Sequence, residues 1–330
     1  MTAGPALAWP DRVVTVRVPA TSANLGPGFD ALGLALTLYD LVEARITEGR
    51  LAIEVSGAGE AAATAGERHL VVRGMRAAFD VLGFQPPGIS LRCVNTIPQG
   101  FGLGSSAGAI VAGLLAARAL WPSGAPAGLA LSGLARADAG LDDAGLLRLA
   151  TRLEGHPDNV AACLAGGLTI AWTGASPRLA RLEPLPGLVP VLCVPEAPVL
   201  TAHTRQALPQ TVPHADAAAN SARAALLIAA LTSDPGLLMD ATEDFLHQRY
   251  RVASMPATAD LVARLRAARI PAVVSGAGPS VLALTVSGQG PGPATVASVT
   301  ESLSTAWQVL PLAVDREGCV VQDQVTRSPL

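Results

Sequence analysis

Residues 98–108, Pro-Gln-Gly-Phe-Gly-Leu-Gly-Ser-Ser-Ala-Gly, have the residue types and spacing of an anion-binding loop. The glycines at 100, 102 and 104 leave backbone N–H groups unobstructed by Cβ atoms, so phosphate oxygens can approach the main chain. The apolar segment 105–120 predicts a helix, and its start adds free N–H groups and a positive dipole end. The hydroxyl of Ser105 or Ser106 could bind Mg²⁺. We therefore predict a phosphate-binding loop.

Two other functions fit the same loop less well. Gly102, Gly104 and Ala107 satisfy the dinucleotide fingerprint G-x-G-x-x-[GA], but no acidic residue for a ribose follows until Asp138. Residues 104–108 also satisfy the nucleophile elbow G-x-S-x-G, with Asp138 and then His156 or His247 as partners, but no HGGG-type oxyanion loop precedes them. A simple packing turn would explain one or two glycines, but not three beside two serines.

The composition restricts how a phosphate can be held. All 23 basic residues are arginine, which excludes a Walker A lysine and a Schiff-base lysine. A phosphate must therefore be bound by backbone N–H groups, arginine, hydroxyls or a metal ion. The formal net charge of −3 gives no reason to expect a nucleic-acid partner.

The length and composition predict a folded chain without membrane segments. The 330 residues are half apolar and 15% charged, which suits two domains or one large domain. Apolar runs such as 107–117 are shorter than the about 20 residues of a membrane span, and residues 1–12 lack the pattern of a signal peptide. The four cysteines form no CxxC pair, so we expect four buried, free thiols in the reducing cytoplasm.

The predicted strands and helices that position the loop do not alternate in a regular βαβ order, which predicts an α+β fold. Strands are predicted at 12–20, 40–47, 51–57 and 88–98, a helix at 69–83, and a loop, helix and strand over 154–172. After the proline-rich segment 176–187, which marks a domain boundary, we predict strands at 188–196, 272–286 and 307–314. Helices are predicted at 217–232, 235–248, 257–268 and 293–305.

Four sequence blocks resemble one family in the expected order. Residues 98–108 resemble the Pro-x-x-x-Gly-Leu-Gly-Ser-Ser-Ala loop of the GHMP small-molecule kinases, which have no Walker A motif. Residues 18–36, VPATSANLGPGFDALGLAL, resemble the opening segment of the homoserine kinases, whereas mevalonate and galactose kinases begin differently. Residues 154–168 and 273–284 match two further blocks, and the resemblance extends from about residue 12 to 315.

The resemblance implies a fold and an activity. It implies an N-terminal domain of the ribosomal protein S5 domain 2 type over 12–178, a ferredoxin-like C-terminal domain over 179–320, and flexible tails at 1–11 and 321–330. The active site would lie between the domains. The resemblance also implies ATP, Mg²⁺, transfer of the γ-phosphoryl group to the side-chain hydroxyl of L-homoserine in threonine biosynthesis, a cytoplasmic location and a homodimer.

The resemblance also implies roles for individual residues. His156, Asp158 and Asn159 precede an apolar helix that would need only one cap, so their number suggests a site. The general base, if there is one, is left open, with Asp158 as a candidate. The implied residues are, for ATP, Pro98, Gln99, Gly100, Phe101, Gly102, Leu103, Gly104, Ser105, Ser106, Ala107, Gly108, His69 and Leu70; for the substrate, Asn24, Asp30, His156, Asn159, Thr201, Arg205, Arg251 and Gly276; for catalysis, His156, Asp158, Asn159 and Arg205; and for Mg²⁺, Ser106 and Glu154.

Several structural interpretations compete with these roles. Arg205, Arg251 and Glu154 could be solvated surface residues, and 275–280 could be a plain turn between strands. Asn24 could cap a turn and Asp30 a helix beginning at Ala31. Family members commonly have asparagine where this chain has His69, which leaves the base contacts open. The alternative functions are a GHMP kinase for another alcohol, such as mevalonate, and a nucleotide-binding regulator without turnover.

Overall fold

The computed structural model describes residues 8–122, 141–196 and 207–324. The predicted strand near residue 12 is β1 (Val13–Ala23), where buried Val14, Val16 and Val18 alternate with half-buried residues. It lies between β2 (Leu32–Thr47) and β11 (Val320–Gln324), antiparallel to both. No helix begins at Ala31, so the helix-capping interpretation of Asp30 is wrong; strand β2 follows instead.

The N-terminal domain is built on one sheet with the order β11-β1-β2-β4-β3, where β3 is Ala52–Gly57 and β4 is Gly88–Asn95. The pairing of β1 with β2 shifts between Pro19 and Ala20, and beyond this irregularity the start of β2 also pairs with β5 (Leu168–Thr173). Strand β6 (Pro177–Leu182) pairs with β5. Segment 24–31, which contains Gly26 and Gly28, connects β1 to β2 outside the sheet. At its start the backbone N–H of Gly276, from the other domain, donates to Ala23 O.

The described residues of this domain form four α-helices: α1 (Leu70–Leu82), α2 (Ser105–Leu120), α3 (Asp143–Glu154) and α4 (Asp158–Ala165). A 3₁₀ helix, Glu60–Arg68, precedes α1. Helices α1 and α2 approach closely through glycine, because a Cβ on Gly74 would lie 2.6 Å from Ile110 O and one on Gly113 2.1 Å from Val71 O. This contact fixes the glycine loop before α2 relative to His69 before α1.

The C-terminal domain has a four-stranded antiparallel sheet with the order β10-β7-β9-β8. In chain order this is fourth, first, third, second, with helices after the first and third strands, which is the ferredoxin-like arrangement that the resemblance implied. The elements are β7 (Leu188–Pro195), α5 (His214–Thr232), α6 (Leu238–Ala241), α7 (Gln248–Arg251), α8 (Pro256–Ala267), β8 (Ala272–Val274), β9 (Val281–Val286), α9 (Pro293–Glu301) and β10 (Trp307–Pro311).

The single helix predicted at 235–248 is wrong. The segment consists of a 3₁₀ turn (Pro235–Leu237), the one-turn helix α6 and an irregular stretch before α7. The cause is Asp244, whose carboxylate accepts hydrogen bonds from the backbone N–H groups of Leu246, His247 and Gln248. A carboxylate that binds the following N–H groups starts a new turn instead of continuing the old helix.

Two predicted boundaries also differ from the structure. The boundary between residues 178 and 179 falls inside β6, which is paired along its length with β5, so the N-terminal sheet ends at Leu182. The flexible tail predicted from residue 321 is wrong for 321–324, which belong to β11 and pair with β1. Strand β1 would otherwise expose an unpaired edge of N–H and C=O groups.

The two domains share a hydrophobic core. Ala20, Leu34 and Leu36 from the N-terminal sheet are buried in one cluster with residues of the C-terminal domain that include Leu192, Leu227 and Leu282. Apolar burial of this kind holds the domains together, so groups from both sides keep their relative positions. The cysteines are free thiols, of which Cys93, Cys163 and Cys193 are buried and Cys319 is half-buried. Within the described ranges, no helix combines the length and the apolar character needed to cross a membrane.

Candidate active site

A cavity of about 840 Å³ opens between the domains and brings most of the predicted site residues together. The N-terminal domain supplies its larger part, and Arg251, Gly276 and Ala277 come from the C-terminal domain. The predicted residues that line it are Asn24, Asp30, His69, Leu70, Gln99, Gly100, Gly102, Leu103, Gly104, Ser105, Ser106, Glu154, His156, Asp158, Asn159, Arg251 and Gly276.

The glycine loop requires glycine for its shape. Gly100, Gly102 and Gly104 have φ values of 82°, 74° and 68°, in the left-handed region. A Cβ on Gly102 would lie 2.2 Å from Ser275 O, and one on Gly104 1.9 Å from Thr21 Oγ1. The loop is held from both domains, since the N–H of Thr21 bonds to Leu103 O and the hydroxyl of Ser275 to Gly102 O.

The start of α2 faces the cavity without a side-chain cap. Gly104 occupies the N-cap position and has no side chain that could accept a hydrogen bond there. The first N–H groups of a helix need an acceptor and carry the positive end of its dipole. With Ser105 and Ser106 lining the cavity, this helix start suits a phosphate group.

Four residues of the predicted loop lie away from the cavity. Pro98 and Phe101 line a second, smaller space with Val194 and Trp307. Ala107 and Gly108 are buried inside α2, where a Cβ on Gly108 would lie 3.4 Å from Val18 Cγ2. These four residues therefore shape the loop, and the atoms that face the cavity belong to their neighbours.

Ser106 and Glu154 meet at the cavity, with the serine hydroxyl donating to Glu154 Oε1. Glu154 is the last residue of α3, and Gly155 ends the helix with a φ of 99°. Burial raises the pKa of Glu154 above its ordinary value, and the hydrogen bond from Ser106 and the nearby His156 act in the opposite direction. The surface interpretation of Glu154 is wrong, because the carboxyl is half-buried and lines the cavity.

Glu154 and Ser106 supply hard oxygen donors of the kind that Mg²⁺ prefers. In the described ranges, no group of three or more His, Cys, Asp or Glu side chains could hold a metal ion by itself. The residues present therefore fit an ion that takes its other ligands from water and phosphate, as Mg²⁺ does with nucleotides.

The polar residues at the start of α4 form a second wall. Asp158 is 3% exposed and its carboxylate accepts the N–H of Asn159 at 2.7 Å. The hydroxyl of Thr21 donates to Asn159 Oδ1 at 2.8 Å, next to Gly104. Sequence reasoning did not assign a role to Thr21, which connects the phosphate loop to these polar residues.

One side of the cavity is built around the carbonyl of Gly276. This oxygen accepts hydrogen bonds from Asn24 Nδ2 at 2.8 Å and from Arg251 Nη1 at 3.2 Å. Asn24 Oδ1 accepts the N–H of Asp30 at 2.9 Å, which directs the backbone that carries this carboxylate. Arg251 is 2% exposed, so its interpretation as a solvated arginine is wrong.

The opposite end of the cavity is partly apolar. His69 is 7% exposed and occupies the N-cap position of α1 without a side-chain capping bond, and its Nδ1 finds no hydrogen-bond partner among the described residues. Burial lowers the pKa of His69, so the ring is neutral at neutral pH. Ala62, Ala65, Arg68 and Asn95 also line this end. Sequence reasoning missed these four, and the only signal was that Arg68 directly precedes His69.

Thr201 and Arg205 lie outside the described residues. Their predicted contacts with the substrate carboxylate therefore remain predictions. Among the described residues, the arginines that line the cavity are Arg68 and Arg251.

Comparison with known proteins identifies the class first. The model of the GHMP kinase N-terminal domain matches residues 69–167, and that of the GHMP kinase C-terminal domain matches residues 224–308. Together with the two-domain fold and the glycine loop, these matches define a GHMP kinase.

More similar proteins narrow the class. The homoserine kinase of Streptomyces coelicolor is 52% identical over 318 residues, which cover 96% of this chain and 96% of that protein. The homoserine kinase of Leifsonia xyli is 47% identical over 94% of this chain and 92% of that protein. The crystal structure of a homoserine kinase from Cytophaga hutchinsonii has the same fold, with a TM-score of 0.78, 24% identity and coverage of 97% and 100% of the two chains. The chain belongs to the homoserine kinase family.

Proposed function

We propose that the protein transfers the γ-phosphoryl group of ATP to the side-chain hydroxyl of L-homoserine, giving O-phospho-L-homoserine and ADP. The observation that carries this proposal is that one cavity contains both a glycine loop before an uncapped helix and a buried guanidinium near a carboxylate. The first suits a triphosphate and the second a small amino acid. The reaction is a step of threonine biosynthesis.

The nucleotide would be held mainly by the main chain. Backbone N–H groups of residues 99–104 and the start of α2 would bind the phosphates, since the chain has no lysine to do so. The end of the cavity near His69 and Leu70 would take the base. Ser106 and Glu154 would hold Mg²⁺, which neutralises charge on the phosphate oxygens during transfer.

The amino acid would be oriented by its two charges. Arg251 would bind the carboxylate and Asp30 the ammonium group, and Thr201 and Arg205 would complete the carboxylate site as the family resemblance implies. The side-chain hydroxyl would then point towards His156, Asp158 and Asn159. Asp158 is the candidate to accept the hydroxyl proton, although phosphoryl transfer depends largely on positioning and charge neutralisation.

A substrate panel tests the proposal. Purified protein with ATP and Mg²⁺ is assayed for ADP release with homoserine, mevalonate, threonine and galactose. We expect homoserine to be used far better than the others, because mevalonate has no ammonium group for Asp30. Release of ADP with mevalonate in preference to homoserine would favour the alternative kinase, and no ADP with any alcohol would favour a nucleotide-binding regulator.

Replacing Glu154 with glutamine tests the magnesium site. We expect the Mg²⁺ concentration for half-maximal rate to rise about 10-fold or more, because the amide lacks the charge that attracts the ion. The matched control is Glu43→Gln, which removes an exposed carboxylate paired with Arg92 on the N-terminal sheet and leaves the Mg²⁺ dependence unchanged. An unchanged Mg²⁺ dependence in Glu154→Gln would show that the ion is bound elsewhere.

The homodimer and the cytoplasmic location stay predictions from the family resemblance. Sedimentation of the purified protein measures its oligomeric state directly. A monomer at the concentration of the activity assay would contradict the homodimer.

A further inference from the structure

The segment 24–31, which carries Asp30, is held from the C-terminal domain by two buried side chains. Asn220 Nδ2 donates to Pro27 O at 2.8 Å, and His247 Nε2 lies 2.9 Å from Gly26 O. Gly26 has a φ of 81°, and a Cβ there would lie 2.9 Å from Val273 Cγ1. The segment is therefore fitted closely against the domain that supplies Arg251.

His247 contacts Arg251 and the segment that carries Asp30. Its ring is fully buried and stacks on Phe29, with the ring centroids 5.1 Å apart. While Nε2 faces Gly26 O, Nδ1 lies 3.2 Å from Arg251 Nη1. The guanidinium of Arg251 also lies over the Phe29 ring, 5.8 Å from its centroid.

The hydrogen-bond partners of His247 determine which ring nitrogen carries the proton. A carbonyl oxygen only accepts and a guanidinium only donates, so Nε2 must carry the hydrogen and Nδ1 must present its lone pair. Both hydrogen bonds form together only in the neutral Nε2–H tautomer. A second proton on Nδ1 would replace the acceptor for Arg251 by a donor and place two positive groups in contact.

We propose that His247 is a positioning residue for the amino-acid substrate. In its neutral Nε2–H form it fixes the guanidinium of Arg251 relative to the segment that carries Asp30, and its protonation releases the arginine and weakens binding of the amino acid. The proposal rests on the proposed function, because it assumes that Arg251 binds the substrate carboxylate.

The charged groups around the ring are Asp244 on the preceding turn, Arg251 on the same helix and Asp30 on the facing segment. Asp244 Oδ2 lies 3.7 Å from Nε2, while its carboxylate accepts three backbone N–H groups. Burial lowers the pKa of His247 below 6.5, with Arg251 acting in the same direction and Asp244, Gly26 O and Asp30 opposing. The ring is thus neutral above pH 6.5, and the substrate affinity falls only as the pH drops through the lowered pKa.

Three substitutions of His247 test separately the contributions of its hydrogen bonds to Gly26 O and to Arg251. His247→Asn places Oδ1 near the position of Nδ1, so it keeps an acceptor for Arg251 and does not titrate. His247→Gln places an amide N–H near Nε2 and keeps the donor to Gly26 but not the acceptor. His247→Phe keeps the ring volume and the stacking on Phe29 and loses both bonds.

We expect the KM for homoserine to rise about 100-fold in His247→Phe, about 10-fold in His247→Gln and less than about 3-fold in His247→Asn. The kcat and the KM for ATP should change less than about 3-fold in all three. The KM of the wild type should rise below pH 6.5, and that of His247→Asn should not. The control His214→Asn changes an exposed histidine at the start of α5 and should keep the wild-type profile.

A substrate-free measurement tests the tautomer in the wild type. Nitrogen-15 NMR of the histidine rings should show Nε2–H and an unprotonated Nδ1 for His247 at pH 7.5, identified by loss of its signals in His247→Asn. An Nδ1–H tautomer, an unchanged homoserine KM in His247→Phe, or an acid rise retained in His247→Asn overturns the proposal. If His247→Asn lowered kcat and Tm and raised the KM values for both substrates together, the role of His247 would be merely structural and the proposal would be wrong. If the proposed function itself were wrong, the result would differ: the wild type would show the expected Nε2–H tautomer by NMR but would not turn over homoserine.

Discussion

Replacing Gly104 with alanine should lower kcat/KM for ATP by about 100- to 1,000-fold. The residue has a φ of 68°, and its Cβ would lie 1.9 Å from Thr21 Oγ1 and 3.0 Å from Asn159 Oδ1. At a separation this short one of the two groups must shift, so either the loop or the hydrogen bond between Thr21 and Asn159 would be displaced. Misplacement of phosphate-binding groups by about 1 Å costs rate factors of about 100-fold.

Gly100→Ala is the matched control for this prediction. Gly100 has a φ of 82° in the same loop, but nothing lies within 4 Å of a Cβ built there. The substitution therefore costs only the strain of a left-handed alanine, about 1 kcal/mol, and we expect at most a several-fold loss of kcat/KM. Steady-state kinetics and thermal unfolding of both variants provide the measurement. Equal losses in the two variants would mean that the contacts with Thr21 do not shape the site.

Replacing Arg251 with methionine should raise the KM for homoserine by about 100- to 1,000-fold while the KM for ATP changes only a few-fold. Removing one partner of a buried, hydrogen-bonded charge pair costs about 2–5 kcal/mol, and the guanidinium is 2% exposed, so water cannot take its place. Arg251→Lys should recover only part of the loss, because an ammonium cannot bind Gly276 O and a carboxylate with the planar geometry of a guanidinium.

The control for this prediction is Arg249→Met on the same helix. Arg249 pairs with Asp216 at the surface, so its loss should change both KM values less than about 2-fold. Steady-state kinetics with each substrate varied, together with direct measurement of ATP binding, check the result. A homoserine KM that stays normal in Arg251→Met would remove this residue from the amino-acid site.

Local sequence signals predicted the backbone of the glycine loop and the helices beside it well. The helix predicted over 105–120 matches α2 (Ser105–Leu120), and the three glycines before it adopt the left-handed backbone that only glycine adopts without strain. The helix predicted at 69–83 is α1, which ends at Gly83 with a φ of 97°. Both depend on residues close in the chain, where periodicity and helix ends carry the information.

The proposed amino-acid half of the site depends on contacts between distant residues. Asn220 reaches Pro27 across 193 positions and His247 reaches Gly26 across 221, and no spacing rule connects such pairs. The burial of Arg251 likewise follows from the packing of two domains and not from the residues beside it. The sequence suggested His247 only as a possible partner for a nucleophilic serine, whereas in the structure its ring nitrogens face a carbonyl and a guanidinium.

The pairing of Val320–Gln324 with β1 has a consequence for biosynthesis of the protein. The first sheet to leave the ribosome stays incomplete until the ferredoxin-like half has been translated, because its outer strand is encoded after that half. Nascent chains would meanwhile expose an open β1 edge, the kind of surface that recruits chaperones or other chains. The N-terminal domain therefore completes its fold only after the C-terminal domain has been translated.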